Sequence, residues 1–381
     1  MLSRDQFFPH LLSQLPDQPR DLGALAFLDG KPLPKEAESW RFTDLSALQQ
    51  PWSLATQPGP QPSPPPIQPP YHPIYVSNGF VDLSQLPPMI QVGIPSPEHP
   101  FADEFAALNI LCTPQPVHLQ VKQSPSAPLL IVYDTEPGLS SHPHLSLELA
   151  PHTELTLMEW FQGQGWTNSL THIHLAPGSR FYHHRWQAQH REQGIHIGGT
   201  QVSQARDSQY QLVAVHRGSR LSRHSLGVIS RGAGTVTDLK GLTWIGGEQI
   251  SDTHSSLTLE QPHCTSRHLH KNIVQDQGHA IFWGRIHVQP GAQFSDASQS
   301  SRTLLLSPKA RVDTQPQLEI QADDVKCSHG ATVSELDPEL IFYLQSRGIP
   351  RPEARRILID SFAGEILRLV PANPFTSLLS L

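Results

Sequence analysis

The chain has 381 residues, of which 37% are hydrophobic and 16% charged, with 37 prolines and 25 glycines. Because proline and glycine break helices, this composition argues against a long helical bundle. The net charge of −7 argues against a nucleic-acid-binding protein, and no stretch approaches the ~20 apolar residues of a membrane span. The three cysteines are too scattered for a disulfide framework, so we expect a soluble cytoplasmic protein.

The first hundred residues divide into two parts. Residues 1–55 have helix-compatible apolar spacing, broken by Pro16 and Pro19, and predict an N-terminal helical domain. Residues 56–104 are rich in proline and include the run Pro64–Pro66. Because so dense a run cannot form a helix or a central strand, we predict an extended arm or linker.

Apolar and polar residues alternate through residues 105–328, as at Leu145, Leu147 and Leu149, which would share one strand face. A turn pattern recurs between such strands, for example Pro177-Gly-Ser-Arg-Phe181. No helix-length period interrupts the strands, which excludes folds that alternate strands with helices. A sandwich, a barrel or a solenoid remains, and many similar strands with small-residue turns favour a parallel β-helix.

Residues 329–381 predict a C-terminal helical domain. Asp337-Pro338-Glu339 is typical of a helix start, and Gly348 of a helix end. A second helix would carry a broad apolar stripe, which includes Ile357, Leu358, Phe362 and Ile366. Such a stripe must be buried, either against the solenoid or in the groove of a partner.

The common catalytic and nucleotide-binding motifs are missing from the sequence. There is no phosphate-binding Gly-x-x-x-x-Gly-Lys-Ser/Thr loop, no Gly-x-Gly-x-x-Gly and no Gly-x-Ser-x-Gly, so we expect no directly bound nucleotide and no enzyme of those classes. No Cys-x-x-Cys pair exists either, which argues against a self-contained zinc or cluster site.

The 22 histidines are the unusual part of the composition. The pair His172 and His174 and the pair His268 and His270 would each share one strand face, and imidazole suits iron, copper and zinc. The alternative that we favour is that histidines fill outward polar positions of a solenoid that has few lysines.

Cys327 and His329 form the most distinctive local feature, where the strand pattern ends and the helices begin. A thiolate beside an imidazole is suited to bind iron transiently, but two ligands do not complete a coordination sphere, so a partner would supply the others. Two alternatives remain open: a buried cysteine with a hydrogen-bonded histidine, and a Cys–His nucleophile pair.

Residues 266–367 resemble the SufB/SufD family of iron–sulfur cluster assembly proteins. The resemblance is carried by Phe282-Trp-Gly-Arg-Ile, Ala292-Gln-Phe-Ser-Asp-Ala-Ser-Gln, Arg302-Thr-Leu-Leu-Leu-Ser, the stretch 316–332 and Phe342-Tyr-Leu-Gln-Ser-Arg-Gly-Ile. Near the N-terminus, Trp40-Arg-Phe-Thr-Asp-Leu45 resembles the Trp-Arg-Thr-Leu motif of that family. The form Cys327-Ser-His-Gly-Ala-Thr332 is similar to the SufD branch; Ser300-Ser301 departs from the asparagine that the family usually has before the equivalent of Arg302.

The resemblance implies a right-handed parallel β-helix flanked by helical domains. It also implies a non-catalytic scaffold that pairs with a SufB-like paralogue and binds a SufC-like ABC ATPase through its C-terminal helices. A transient iron or iron–sulfur cluster would lie at the interface between the two paralogues, with His329 as a ligand and Cys327 as a weaker candidate. A homodimer of the isolated chain stays open.

Two functions of other classes remain as alternatives. A β-helix enzyme that acts on polysaccharide would need clustered carboxylates in a groove, and Asp323-Asp324 is little support for one. A histidine-rich metal-storage protein would bind several metal ions per chain without partners.

Overall fold

The computed structural model describes residues 1–15, 21–34, 38–67, 70–93 and 103–370. Its body is a parallel β-solenoid of about eight turns, with helices towards both chain termini, so the predicted fold class is confirmed. Within these ranges, no helix is both long enough and apolar enough to cross a membrane.

The helices and strands within the described ranges are bounded as follows. The α-helices are α1 Arg4–Leu12, α2 Leu22–Leu28, α3 Glu104–Cys112, α4 Pro338–Ser346 and α5 Arg351–Leu367. The strands are β1 Ser53–Leu54, β2 His72–Ser77, β3 Phe80–Asp82, β4 Ile90–Val92, β5 Val117–Val121, β6 Leu129–Thr135, β7 Leu139–Ser141, β8 His144–Leu149, β9 Glu154–Gly163, β10 Trp166–Leu175, β11 Arg180–Gln187, β12 Ile195–Gln204, β13 Gln209–His216, β14 Leu221–Ser230, β15 Val236–Ile245, β16 Ile250–Leu259, β17 Thr265–Val274, β18 His279–Val288, β19 Asp296–Leu305, β20 Arg311–Ile320 and β21 Lys326–Glu335.

From β8 onwards, successive strands go alternately to two sheets. The main path of sheet A runs in the order β20-β18-β16-β14-β12-β10-β8-β5-β4, and sheet B runs β21-β19-β17-β15-β13-β11-β9-β6-β2-β3. From β5 and β6 onwards the neighbours on these paths pair in parallel, so each turn of the chain stacks on the one before it. At the start of the solenoid, β2–β3 and β4–β5 are antiparallel.

The recurring turn of the sequence has one conformational cause. The residue two positions before a sheet B strand has a positive φ at successive turns, among them Gly178 (68°), Asp207 (57°), Gly234 (70°) and His263 (61°). Glycine and aspartate tolerate this left-handed conformation, which redirects the chain into the next strand. The spacing of these residues therefore sets the repeat of the solenoid.

Helices cover the outer faces of both sheets. The N-terminal helices pack on sheet A, where Phe7 and Phe105 contact Trp166 with ring centroids 5.5 and 6.3 Å apart. On sheet B, Ala363 and Ile366 of α5 join an apolar cluster with the outward-facing Trp186. The helices thus bury apolar side chains on the outer face of each sheet over several turns, which keeps these side chains away from solvent.

The domain prediction differs from the structure at two places. Within the proline-rich part, β2 joins sheet B in parallel with β6 rather than remaining an arm. Pro73 is tolerated in β2 because β3 pairs only with Tyr75–Ser77. No residue of β3 therefore lies beside Pro73, where its missing backbone N–H would interrupt the pairing. At the other end, β21 contains residue 329, where we placed the start of the helical domain. Residues 16–20, 35–37, 68–69, 94–102 and 371–381 of the predicted domains lie outside the described residues.

Candidate functional site

Within the part of the chain that the structure describes, no further strand follows the last turn of the solenoid. Strands β20 and β21 are the terminal strands of sheets A and B, and each pairs with a described neighbour on one side only. Nearly every side chain of β21 is exposed, whereas the preceding strand of the same sheet, β19, buries alternate residues. The apolar Val333 is 51% exposed there. We call this surface the open end, formed by β20 and β21.

The open end carries both predicted metal ligands. Cys327 and His329 lie two residues apart in β21 and so project from the same strand face. Their register partners in β19 are Ala297 and Gln299, which are buried in the solenoid interior. Cys327 packs against the last layer of that interior, and its burial raises the pKa of the thiol, as does the nearby Asp296, against a backbone hydrogen bond from Ala297. His329 is exposed.

The described residues do not form a closed metal site at this position. Among the described residues, no group of three or more His, Cys, Asp or Glu side chains could hold a metal ion. An iron ion at Cys327 and His329 would therefore take its other ligands from outside this surface.

The apolar stripe of α5 divides between the solenoid and solvent. Ile366 is fully buried against sheet B, and the ring of half-buried Phe362 lies 4.4 Å from Lys271 Nζ. Lys271 also donates a hydrogen bond of 2.8 Å to the carbonyl of Phe362, which fixes the helix on the sheet. Ile357, in contrast, is 37% exposed, and Leu358 is half-buried. The solenoid therefore buries one part of the stripe, and the part with Ile357 remains exposed among the described residues.

The helix α4, which follows β21 in the chain, leaves apolar side chains exposed. Leu340, Phe342 and Tyr343 are all exposed on this short helix. Its start and end follow the predicted pattern, because the Asp337 carboxylate accepts a 2.8 Å hydrogen bond from the backbone N–H of Glu339 and Gly348 has a φ of 85°. An exposed apolar patch of this kind is typical of a protein–protein contact.

The N-terminal Trp-Arg-Thr-Leu segment is an anchor on sheet A. The guanidinium of Arg223 lies 3.7 Å from the ring centre of Trp40 and 2.7 Å from Asp252, and all three are buried. The hydroxyl of Thr43 also donates to Asp252. Burial by itself would raise the pKa of Asp252, but Arg223, His254 and Thr43 together lower it. The motif thus joins the N-terminal domain to the solenoid.

The expectation that histidines fill outward positions is wrong for six of them. His183, His196, His216, His224, His268 and His270 are buried in the interior of the solenoid. His183, for example, is in register with Leu157 and Leu212 of the apolar core. The reason is that part of the space between the sheets is lined by polar side chains, beside which an imidazole ring can be buried. The pair His172 and His174 does share one face of β10.

Sequence reasoning missed a buried polar network in the interior. Glu159 accepts hydrogen bonds from His183 at 2.8 Å and from Tyr133 at 2.9 Å, and Arg185 lies 3.7 Å from the same carboxylate. Burial would raise the pKa of Glu159, yet His183, Arg185 and Tyr133 lower it. The alternation of Phe181, His183 and Arg185 in the sequence could have indicated this network. In a strand it places both polar residues on the same face as a core phenylalanine.

Comparison with known proteins gives a consistent assignment. The family model described as "SUF system FeS cluster assembly, SufBD core domain" matches residues 132–362. An iron–sulfur cluster assembly SufBD family protein of Synechocystis is 37% identical over 270 residues, which cover 67% of this chain and 59% of that protein. The protein SufD of Escherichia coli, named for iron–sulfur cluster assembly, is 33% identical over 276 residues, or 70% of this chain and 65% of its own length. The chloroplastic protein ABCI7 of Arabidopsis thaliana is 38% identical over 237 residues, or 61% of this chain and 50% of its own length. The matches thus span half to two-thirds of these relatives.

Proposed function

Because the chain belongs to the SufB/SufD family of iron–sulfur cluster assembly proteins, we propose that it is the SufD-type scaffold subunit of an assembly complex. The observation that carries the proposal is the open end, which brings Cys327 and His329 together on an uncovered strand. A scaffold needs such an incomplete ligand set, because a nascent cluster must be both received and released. In this role the chain is not an enzyme, and it works in a reducing compartment, the cytoplasm or its plastid equivalent.

A SufB-like paralogue is the proposed partner at the open end. Two ten-residue terminal strands leave rows of backbone N–H and C=O groups unpaired on one side, which is a ready template for pairing with another chain. A second solenoid that ends in a similar way could continue both sheets. The iron or cluster would then sit between the two chains, with His329 as a ligand from this side and Cys327 as a weaker one.

A SufC-like ABC ATPase is the proposed partner of the C-terminal helices. The support comes from the exposed apolar residues of α4, Leu340, Phe342 and Tyr343, together with the exposed Ile357 of α5. Leu358 is available at the edge of this surface, whereas Phe362 and Ile366 act by holding α5 on sheet B. The ATPase would hydrolyse the nucleotide, and this chain would transmit the movement without binding nucleotide.

The test is affinity purification of the full chain from its native lysate, with the stoichiometry of the proteins recovered. We expect one related solenoid protein and one small ATPase. Val333→Lys places a charge in the open end and should abolish recovery of the related solenoid protein. Val92→Lys is the matched control, because Val92 is 59% exposed at the other end of sheet A and should leave recovery unchanged.

Other results would contradict the proposal. If Val333→Lys and wild type recover the same partners in the same ratio, the open end is not the interface. If the chain is recovered alone with several metal ions bound, the metal-storage function takes the place of the scaffold.

A further inference from the structure

The interior of the solenoid has a polar strip that runs along its axis. On sheet A, His196, Ser222 and Ser251 are in direct register on successive strands, and on sheet B His216, Thr243 and Asn272 are. Each of the six is at most 2% exposed. Contact across the interior is close, since the ring of His216 lies 5.7 Å from that of His224 on sheet A. We call these six residues the polar seam.

Several polar atoms of the seam lack a protein partner. His196 Nδ1, His216 Nε2, Ser222 Oγ and Ser251 Oγ make no hydrogen bond to any described residue. A buried polar atom is costly unless it is hydrogen-bonded, and native proteins satisfy such atoms with internal water when other protein groups do not reach them. Here the atoms follow one another from turn to turn, so a single water would not be enough.

One hydrogen bond at the seam shows which of the unpartnered atoms are donors and so need an acceptor. Arg185 donates to His196 Nε2, so the ring proton of neutral His196 must lie on Nδ1. Nη1 of Arg185 also has no described partner. Both nitrogen atoms are therefore buried donors without an acceptor among the described residues, and internal water can accept from each of them.

A metal ion is a poor occupant of the seam. Arg185 is buried beside His196, and its charge opposes a cation there. Burial, together with Arg185, also holds the pKa of His196 well below 6.5 and that of His216 at about 3, so this environment disfavours positive charge. No described group of three ligand side chains converges in the seam either. A neutral polar molecule is what these groups would hold.

The seam extends towards the open end. Along the sheet A ladder the side chains shrink from the imidazole of His196 to Ser222, Ser251 and then Ala280. On sheet B, Asn272 donates a 3.1 Å hydrogen bond to Thr303, whose register partner is Val333 of the last strand. The neighbouring Ser301 has an unpartnered hydroxyl and faces Ala331, two residues from His329.

We propose that the polar seam holds a file of internal water that opens at the last turn beside His329. Solvent would then reach this end from inside the solenoid even when a partner covers it from outside. The presence of internal water is argued from the interior alone. Only the access of solvent beneath a bound partner rests on the proposed function.

The test is the reactivity of cysteines placed along the seam, in the full chain. Ser301→Cys, Ser251→Cys and Ser222→Cys are treated with methyl methanethiosulfonate, a small neutral thiol reagent, and modification is followed by mass spectrometry. The chain provides its own control, because Cys264 is 1% exposed in the apolar part of the same interior. We expect each new cysteine to react roughly tenfold or more faster than Cys264, which must wait for the structure to open, with Ser301→Cys fastest.

A dry seam gives the opposite result, with Ser251→Cys and Ser222→Cys as unreactive as Cys264, and this would overturn the proposal. If a cysteine variant does not fold, Ser251→Ala decides by its melting temperature. A dry seam gains stability when an unpartnered hydroxyl is removed, so Tm would rise, whereas a hydrated seam leaves Tm unchanged or lower. None of these readouts depends on cluster assembly, so failure of the proposed function would leave them unaffected.

Discussion

The covered turns of the solenoid and its open end contain strands of the same length, but these strands differ in how far their side chains are buried. Most side chains of β17 are buried on both faces of the strand. The inward side chains are buried between the two sheets, and outward ones lie beneath or beside α5. In β21, of the same length and the same sheet, nearly every side chain is exposed. We therefore expect the covered turns to supply most of the stability, and the exposed side chains of the open end to tolerate substitution with little loss of it. Substitutions should separate stability from assembly along this division.

Acid should destabilise the covered turns most strongly. Burial lowers the pKa of His142 and His216 to about 3 and that of His268 to about 4, from an ordinary value of 6.5. Above pH 6.5 both states are neutral and stability is independent of these groups. As the pH falls from 6.5 towards 3, only the unfolded chain takes up the protons, so the free energy of unfolding falls by about 1.4 kcal/mol per histidine per pH unit.

The measurement is the urea midpoint at several pH values from neutral to about pH 5. The midpoint should fall steadily below pH 6.5, the ordinary histidine value. A flat profile over this range would mean that the interior histidines are not held neutral by burial.

Loss of the Arg223 anchor should give the next largest effect. Arg223→Leu leaves the buried Asp252 carboxylate without its cation, which costs about 3–5 kcal/mol in the free energy of unfolding. Arg267→Leu is the matched control, since Arg267 and Asp296 form an ion pair of similar length, 2.6 Å, on the exposed surface. That control should cost about 0–1 kcal/mol in urea unfolding. Equal costs would show that the N-terminal motif is not an anchor.

Two isoleucines of α5 should separate packing from partner contact. Ile366→Ala creates a cavity against sheet B and should lower the free energy of unfolding by about 2–5 kcal/mol. Ile357→Ala, at an exposed position of the same helix, should cost about 0.5 kcal/mol or less but weaken binding of the proposed ATPase partner. Urea unfolding and co-purification measure the two effects. A large stability loss at Ile357 would place it in the core and remove it from the proposed interface.

Local chemistry made much of the fold predictable. The turn at Pro177–Phe181 was visible because Gly178 supplies a left-handed residue, and the capping residues Asp337 and Gly348 were visible for similar reasons. The strand β2 was not predictable, because its Pro73 argues against a strand unless one knows that no neighbour pairs there. That information is tertiary.

The interior of the solenoid could be predicted only in part. Alternation shows that Phe181 and His183 share a face, but composition favoured the view that histidines face solvent. Which face is inside depends on the opposite sheet, which sequence spacing does not specify. The placement of Cys327 and His329 on one strand face was predictable, since it needs only a strand. The exposure of His329 at the open end was not, since it depends on where the solenoid stops.

The most direct measurement of the central claim is the iron and acid-labile sulfide content of the assembled complex that carries His329→Ala. Because His329 is exposed, we expect the free energy of unfolding to change by less than about 0.5 kcal/mol and the complex to form, while its cluster content falls well below that of wild type. Ser328→Ala, the adjacent exposed residue on the opposite strand face, is the control and should keep wild-type content. Wild-type cluster content in the His329→Ala complex would contradict the claim that the open end binds the cluster through this residue.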